Sequence, residues 1–400
     1  MQMASRVKNL GTEQAFEVLE EVNSLRDQGK NIISLAIGEP DFNTPEEIKK
    51  AGIEAIKNNK TGYSPSPGIP VLRQEVANYL SQTRGAKYNP EETVVAPGAK
   101  PLIFYGIMAL MERGDKVIYP NPGFPVYNSI IEMMGGEAVP LPLRAENSFN
   151  YSPEELRDII DDETTGIIIN SPQNPTGAVI DSNRMAELAG IIREENLWVI
   201  SDEVYSEMVY DEKASSIVDY PGMKERTLLI DGFSKTFAMT GWRIGYAGGP
   251  QELSARIGKL ITNSVSCTAT FTQHAAAEAL KSVEKYRQNM VSELKERRDL
   301  IFKGLNDIRG ISCQKPKGAF YAYADVTKAC EILQLADAAE FQKFLLHKAG
   351  VAVLYRECFG DRFPGENREY IRLSFANNQK NISRALTRIK NRGGLNREIV

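Results

Sequence analysis

Apolar positions along this chain follow two rhythms. Runs in which most residues are apolar, at 93–96, 116–119, 166–170, 197–201 and 227–231, alternate with longer stretches whose apolar residues recur every three or four positions. Apolar runs of that length suit strands covered on both faces, and the stretches between them are long enough for crossover helices. The alternation predicts an α/β fold with a mostly parallel, doubly wound sheet between helices. Helix ends are signalled by Gly29 after 13–28, by Pro45 opening 45–58 with Thr44 as its N-cap, and by Gly85 after 70–84. From about Tyr286 the rhythm changes. A charged helix is predicted over 286–305, then strands at 318–326 and 369–375 around a helix at 338–349. The change predicts a large domain over 46–290 and a smaller α+β domain formed by 1–45 and 291–400.

Four hundred residues exceed what one core usually organises, in keeping with two domains. The composition, 42% hydrophobic and 25% charged, is that of a globular protein, and a formal net charge of −4 leaves no concentrated basic face for nucleic acid or an anionic membrane. A small molecule is the expected partner. Residues 1–10 carry Arg6 and Lys8 but no apolar core of a signal peptide, and no stretch reaches the length of a membrane span, so a cytoplasmic location is expected. Cys267, Cys313, Cys330 and Cys358 are widely spaced and accompany only two histidines, which argues against disulfides and against a zinc site. No metal is expected.

Chemistry concentrates where the apolar runs end. The segment Asp231-Gly-Phe-Ser-Lys-Thr-Phe-Ala-Met-Thr-Gly-Trp-Arg-Ile-Gly245 places Ser234, Lys235 and Arg243 on a stretch rich in small residues, where backbone can approach a ligand. A lysine partly withdrawn from water loses proton affinity and becomes an amine able to condense with an aldehyde. An isolated Ser-Lys pair would read as surface, but its company changes that. Asp202 closes the run 197–201 at the sheet edge where α/β enzymes bind ligands. Its carboxylate suits holding a pyridinium nitrogen protonated, and suits equally a cap on a following helix. Tyr205, and Asn174 in Asn170-Ser-Pro-Gln-Asn-Pro-Thr-Gly177, are candidate partners for a phenolic oxygen on the same ring. Pro97-Gly-Ala-Lys100 precedes a helix expected to begin near Pro101, so the N–H groups of Ala99 and Lys100 suit a phosphate, with Arg243 a cation for the same anion. Phe124 suits either a lid over a planar cofactor or core packing. Arg372 shares a strand face with Ser374 and reads either as a fork for a substrate carboxylate or as a solvated cation.

Together these segments resemble the fold-type-I pyridoxal-phosphate (PLP) enzymes, and within them the class I and II aminotransferase family, over about residues 6–389. The resemblance is carried by Ser234-Lys-Thr-Phe-Ala-Met-Thr-Gly-Trp-Arg-Ile-Gly245, similar to the family's lysine signature, and by Asn174-Pro-Thr-Gly177, Ser201-Asp-Glu-Val-Tyr205 and Gly38-Glu-Pro-Asp-Phe42 in the family's order. It implies pyridoxal 5'-phosphate held as a Schiff base on Lys235, which then shuttles the proton between substrate Cα and cofactor C4′. It further implies that Asp202 pairs with the pyridine nitrogen, that Asn174 and Tyr205 bind the phenolic oxygen, that Phe124 stacks on the ring, and that Ala99, Lys100, Ser234 and Arg243 form the phosphate cup. Tyr63, in Thr61-Gly-Tyr-Ser-Pro-Ser-Pro-Gly68, matches a tyrosine that reaches the phosphate of the neighbouring subunit, so a homodimer with shared active sites is implied. Gly38, Asn174 and Arg372 match substrate-binding positions, Gly38 and Arg372 those that hold the α-carboxylate. The implied reaction moves the amino group of an L-amino acid to a 2-oxo acid.

Two segments depart from the family pattern. Val353-Leu-Tyr-Arg-Glu-Cys-Phe-Gly360 replaces a Pro-Gly-Ser/Thr-like turn with bulky and charged residues, and Leu10-Gly-Thr-Glu-Gln14 differs from the Pro-Ser-type opening of the aspartate branch. Glu13 and Glu357 could face a basic substrate tail. That keeps a second outcome open, in which the same cofactor serves elimination, cyclisation or oxidation of an arginine-like amino acid. A non-catalytic binding module is disfavoured because every matched catalytic position is present, and a Rossmann dehydrogenase because no GxGxxG follows the first apolar strand.

Overall fold

The computed structural model describes residues 3–7, 10, 14–211 and 214–396. A seven-stranded sheet has the spatial order Thr93–Ala96, Gly245–Gly248, Thr227–Gly232, Trp198–Asp202, Thr164–Asn170, Lys116–Asn121, Glu137–Pro142. Neighbours pair in parallel except around Gly245–Gly248, which runs antiparallel to both strands beside it. The central strands are apolar throughout because both faces are covered. Ile167 and Ile169 enter one core and Ile168 the other, and Leu229 parts from Leu228 and Ile230 in the same way. The helix Ala99–Leu110 lies tight on one face, where a Cβ at Gly106 would come within 2.6 Å of Leu228 Cδ2.

Two of these strands escape the apolar rhythm. Glu137–Pro142 pairs along one side only, and an edge position tolerates Pro140 and Pro142. Gly245–Gly248 reads as loop by composition, yet small residues are what the place requires: a Cβ on Gly245 would stand 2.5 Å from Ala99 N. The helices Gln14–Asp27, Glu46–Lys57 and Pro70–Thr83 fall within their expected spans. Glu13 lies outside the described residues. Thr44 is not an N-cap. The helix starts one residue later than that role needs, with Pro45 at the cap position. Thr44 Oγ1 instead donates to Ala238 O at 2.7 Å and accepts from Trp242 Nε1 at 3.1 Å, tying the helix start to the lysine segment.

A second sheet, in the order Leu354–Tyr355, Tyr370–Ser374, Tyr321–Asp325, Ser312–Cys313, is antiparallel throughout. It shares a core with the helices Val283–Asn306 and Gln379–Arg392. The latter helix buries Ile382, Ala385, Leu386 and Ile389, a spacing that keeps one face apolar. The expected helix at 338–349 runs as Ala338–Phe344 and continues as a π-helical turn, Leu345–Ala349. Ile33–Ser34 pairs in parallel with Val351–Ala352, so segments from both ends of the chain meet. Among the described residues no helix is long and apolar enough to cross a membrane.

Candidate active site

The parallel strands Thr164–Asn170, Trp198–Asp202 and Thr227–Gly232 deliver their carboxyl ends to one sheet edge, above which lies a cleft of about 570 Å³. Asp202 is buried there. Tyr127 Oη donates to its Oδ2 at 2.6 Å and Val204 N to its Oδ1 at 3.4 Å. Burial pushes the carboxyl up to about 6, against the pull of the Tyr127 and Val204 hydrogen bonds. Asn170 Nδ2 donates to Asp202 O at 3.0 Å, and its Oδ1 accepts from Asn174 N at 3.0 Å, so one side chain sets both the strand end and the turn beyond it.

Lys235 sits in the short turn Phe233–Thr236 directly after its strand, half-buried, and its Nζ donates to Gly38 O at 2.6 Å. Gly38 has no room for a side chain, since a Cβ would fall 2.0 Å from Tyr321 Oη. That hydroxyl pairs with Tyr205 Oη at 2.7 Å. Arg372 lies in register with Tyr323 and Leu354 in the small sheet, and its guanidinium enters the cleft between the rings of Tyr321, at 4.3 Å, and Phe359, at 4.9 Å. Nη1 donates to Asn174 Oδ1 at 2.8 Å, Nη2 to Ala36 O, and Nε is buried with no hydrogen-bond partner among the described residues. An arginine buried in this way, with an unmatched donor, suits an anionic ligand.

At the other end of the cleft, the turn at Gly98 leads into the helix that begins at Ala99, two residues before the expected start. Gly98 has a φ of +106°, and a Cβ there would meet Arg243 Nη2 at 2.6 Å, so the guanidinium lies on the helix start. Ala99, Lys100, Ser234 and Arg243 all line the cleft. Phe124 lines it as well, edge-on to Tyr127 at 5.7 Å and under Lys100 Nζ at 5.3 Å. A helix start with a cation on it, a buried carboxylate, a flanking aromatic ring and a half-buried amine form a donor set that fits PLP. Of the residues matched to the family's cofactor and α-carboxylate positions, Tyr63 stands apart: it is 92% exposed and does not line the cleft.

The model of the family "Aminotransferase class I and II" matches residues 30–389. The chain belongs to the class I and II aminotransferases. The probable aspartate/prephenate aminotransferase of Aquifex aeolicus is 38% identical over 97% of this chain and 98% of its own length, and the aspartate aminotransferase of Pyrococcus abyssi 37% identical over 90% and 91%. Among solved structures, aspartate aminotransferase from Thermus thermophilus with maleate superposes with a TM-score of 0.91 at 33% identity, covering 98% of this chain and 99% of that one. The aromatic aminotransferase from Pyrococcus horikoshii gives 0.85 at 36% identity, covering 92% and 97%. The fold is that of the PLP-dependent transferases of fold type I, and this protein is an aminotransferase.

Several residues of the enzyme's cleft carry no motif. Tyr127 and Tyr321 hold Asp202 and Tyr205, yet they lie 75 and 116 positions away from them in the chain. Behind the cleft, Arg84 Nε donates to Glu203 Oε2 at 2.8 Å and Arg84 Nη2 lies 3.5 Å from Asp231 Oδ2, bracing the two strand ends that carry Asp202 and Lys235. Burial pushes the Asp231 carboxyl up to about 7 despite Arg84. Glu357 does not face the cleft. Arg362 curls back from five residues on and donates to it at 2.6 Å, so its charge is already matched by a neighbour.

Proposed function

We infer that the enzyme transfers the amino group of an L-amino acid to a 2-oxo acid with PLP in this cleft and Lys235 as the group that holds it and moves the proton. The observation that carries this reading is the convergence of Lys235, Asp202 and Arg372, from three separate segments, on one cleft. Bound there, PLP supplies an aldehyde carbon for the amino group and a ring that draws electrons from the substrate's Cα–H bond. Asp202 would pair with the protonated ring nitrogen. Asn174 Nδ2 and Tyr205 Oη would serve the ring oxygen, Phe124 the ring face, and Ala99, Lys100, Ser234 and Arg243 the phosphate. Lys235 Nζ would take the proton from the substrate's Cα and deliver it to the cofactor carbon that carried the aldehyde, so that the amino group stays behind when the oxo acid leaves. Arg372, with Gly38 and Asn174 beside it, would orient the substrate's carboxylate so that this proton faces Lys235.

Relatives named for aspartate, prephenate and aromatic substrates support aspartate or an aromatic amino acid as the donor. Glu39 and Asp202 are the carboxylates lining the cleft among the described residues, and both are engaged, by Thr240 and Tyr127. The working form in this reading is a cytoplasmic homodimer in which Tyr63 serves the partner's phosphate cup. Its exposure and the four free cysteines support this. A large unit over 46–290 and a smaller one from 1–45 and 291–400 belong to the same reading, supported by a seven-stranded sheet whose strands all lie within 93–248 and by four- and two-stranded sheets whose strands all lie within 33–34 and 312–374. The test is a half-reaction: PLP-loaded enzyme mixed with L-aspartate or L-phenylalanine, without an oxo acid, is expected to release one oxo acid per active site and stop. Continued turnover with PLP regenerated and a dehydrated or oxidised product would overturn it.

A further inference from the structure

Arg356 stands where the chain abandons the Pro-Gly turn, and its side chain has no exposure at all. Nε and Nη2 donate to the two carboxylate oxygens of Glu366 at 2.6 and 2.8 Å. Nη1 donates to Gly360 O at 2.7 Å, and Nη2 also reaches Asn121 Oδ1 at 3.0 Å and Asp361 O at 3.3 Å. A planar guanidinium held on all sides in this way is a fixed body rather than a tether. Asn121 closes the strand Lys116–Asn121 and returns a bond from Nδ2 to Asp361 O at 2.8 Å, and two residues on Gly123 N donates to Phe359 O at 2.9 Å. The approach is close enough to require glycine at 360, where φ is +112° and a Cβ would lie 2.8 Å from Asn121 Oδ1. Segment 356–361 is thereby joined to the end of the large sheet by side chains and backbone together.

The cleft lies on the other side of this joint. Cys358 and Phe359 project into it from the segment, Phe359 stacks 4.9 Å from Arg372, and Phe124 enters from the strand end to which Asn121 belongs. We propose that Arg356 is a positioning residue for substrate binding: by clamping segment 356–361 between Glu366 and Asn121 it fixes Phe359, and through Phe359 the Arg372 guanidinium, relative to Phe124. The proposal rests on the reading of Arg372 as the carboxylate site. Arg356 itself does not line the cleft, so its effect passes through Phe359.

The test compares PLP-loaded Arg356→Met with the double variant Arg356→Met/Glu366→Met. The single change strands a buried carboxylate and lowers Tm, whereas the double change replaces the ion pair with apolar groups and recovers it. In both, KM for the amino acid is expected to rise about tenfold, with kcat within about threefold of the parent enzyme and PLP absorbance per subunit unchanged. Arg356→Lys, which keeps the charge and loses the fork, is expected to give an intermediate KM and covers the case in which the single Met variant does not fold. Recovery of KM together with Tm in the double variant, or KM unchanged in every Arg356 variant, overturns the proposal. Arg372→Ala run alongside separates the two levels: a raised KM there with none in the Arg356 variants rejects the clamp alone, and no rise in Arg372→Ala rejects the carboxylate reading beneath it.

Discussion

The floor of the cleft and its wall are built by different means. Asp202, Asn170 and Lys235 stand on or just past the ends of adjacent parallel strands, whose spacing of about 4.8 Å is set by the ladder itself. Arg84, Glu203 and Asp231 stiffen that floor from behind. The wall rests on the smaller antiparallel sheet, in which the strand carrying Tyr321 pairs with the strand carrying Arg372. Gly38, Tyr321, Phe359 and Arg372 come from separate segments and hold one another through a phenol pair, ring–guanidinium stacking and single backbone carbonyls. Parallel strand ends place the floor, whereas in the wall an antiparallel pair places Tyr321 and Arg372, and side-chain contacts bring Gly38 and Phe359 against them. Changes in the floor should therefore strike the chemical step, while changes in the wall should strike substrate binding.

The largest effect should come from the floor. Lys235→Ala is expected to lower turnover by about 10⁴-fold or more, read as oxo-acid release in a single turnover, because the proton carrier is gone. A residual rate near that of the parent enzyme would remove the central claim about the cleft. Asp202→Asn should lower kcat by roughly 10³-fold while KM moves little. The same variant sharpens the electrostatic reading. In cofactor-free enzyme the native carboxyl, raised by burial to about 6, binds its proton more tightly than the unfolded chain does. Stability therefore falls as pH rises from about 4 to about 6 and stays low above that window. Asp202→Asn escapes this loss, so it should unfold at a higher temperature than the parent at pH 8, by on the order of 3 kcal/mol at most, and the gap should close toward pH 4. Equal melting curves at both pH values would show that burial does not strain the carboxylate.

Wall changes should follow the opposite pattern. Arg372→Ala is expected to raise KM by roughly 30-fold, about 2 kcal/mol, with a smaller fall in kcat. A kcat loss larger than the KM rise would erase the distinction between floor and wall. Tyr321→Phe, the mildest, keeps the ring beside Arg372 and removes the hydroxyl that meets Tyr205. It should cost about 1 kcal/mol in urea unfolding and change kcat/KM only a few-fold.

Much of the floor is legible in the chain alone. Ser234, Lys235 and Arg243 are neighbours in sequence, and Asp202 and Asn174 each follow an apolar run whose end marks a sheet edge. The wall is legible only at Gly38 and Arg372, through resemblance. Tyr321 looks like any strand tyrosine until Gly38 is brought against it, and Tyr127 like any core aromatic until its hydroxyl meets Asp202. Glu357 illustrates the reverse error: a carboxylate in an unusual segment invites a role in the cleft, but it lies outside the cleft lining and pairs with Arg362 five residues on. Thr44 misleads for a related reason, since its hydroxyl answers to Trp242 and Ala238 rather than to its own helix.

By itself the sequence determined the parallel sheet, most helix spans and the residues at the strand ends, because those depend on local periodicity and on chemistry that lies contiguous in the chain. Only the tertiary structure decided that Gly245–Gly248 and Glu137–Pro142 are strands, that Arg356 is a buried clamp rather than a charged rim, and which phenols complete the cleft. Those features depend on partners tens to hundreds of residues away, and no local pattern records which of many equivalent side chains the fold will bring together.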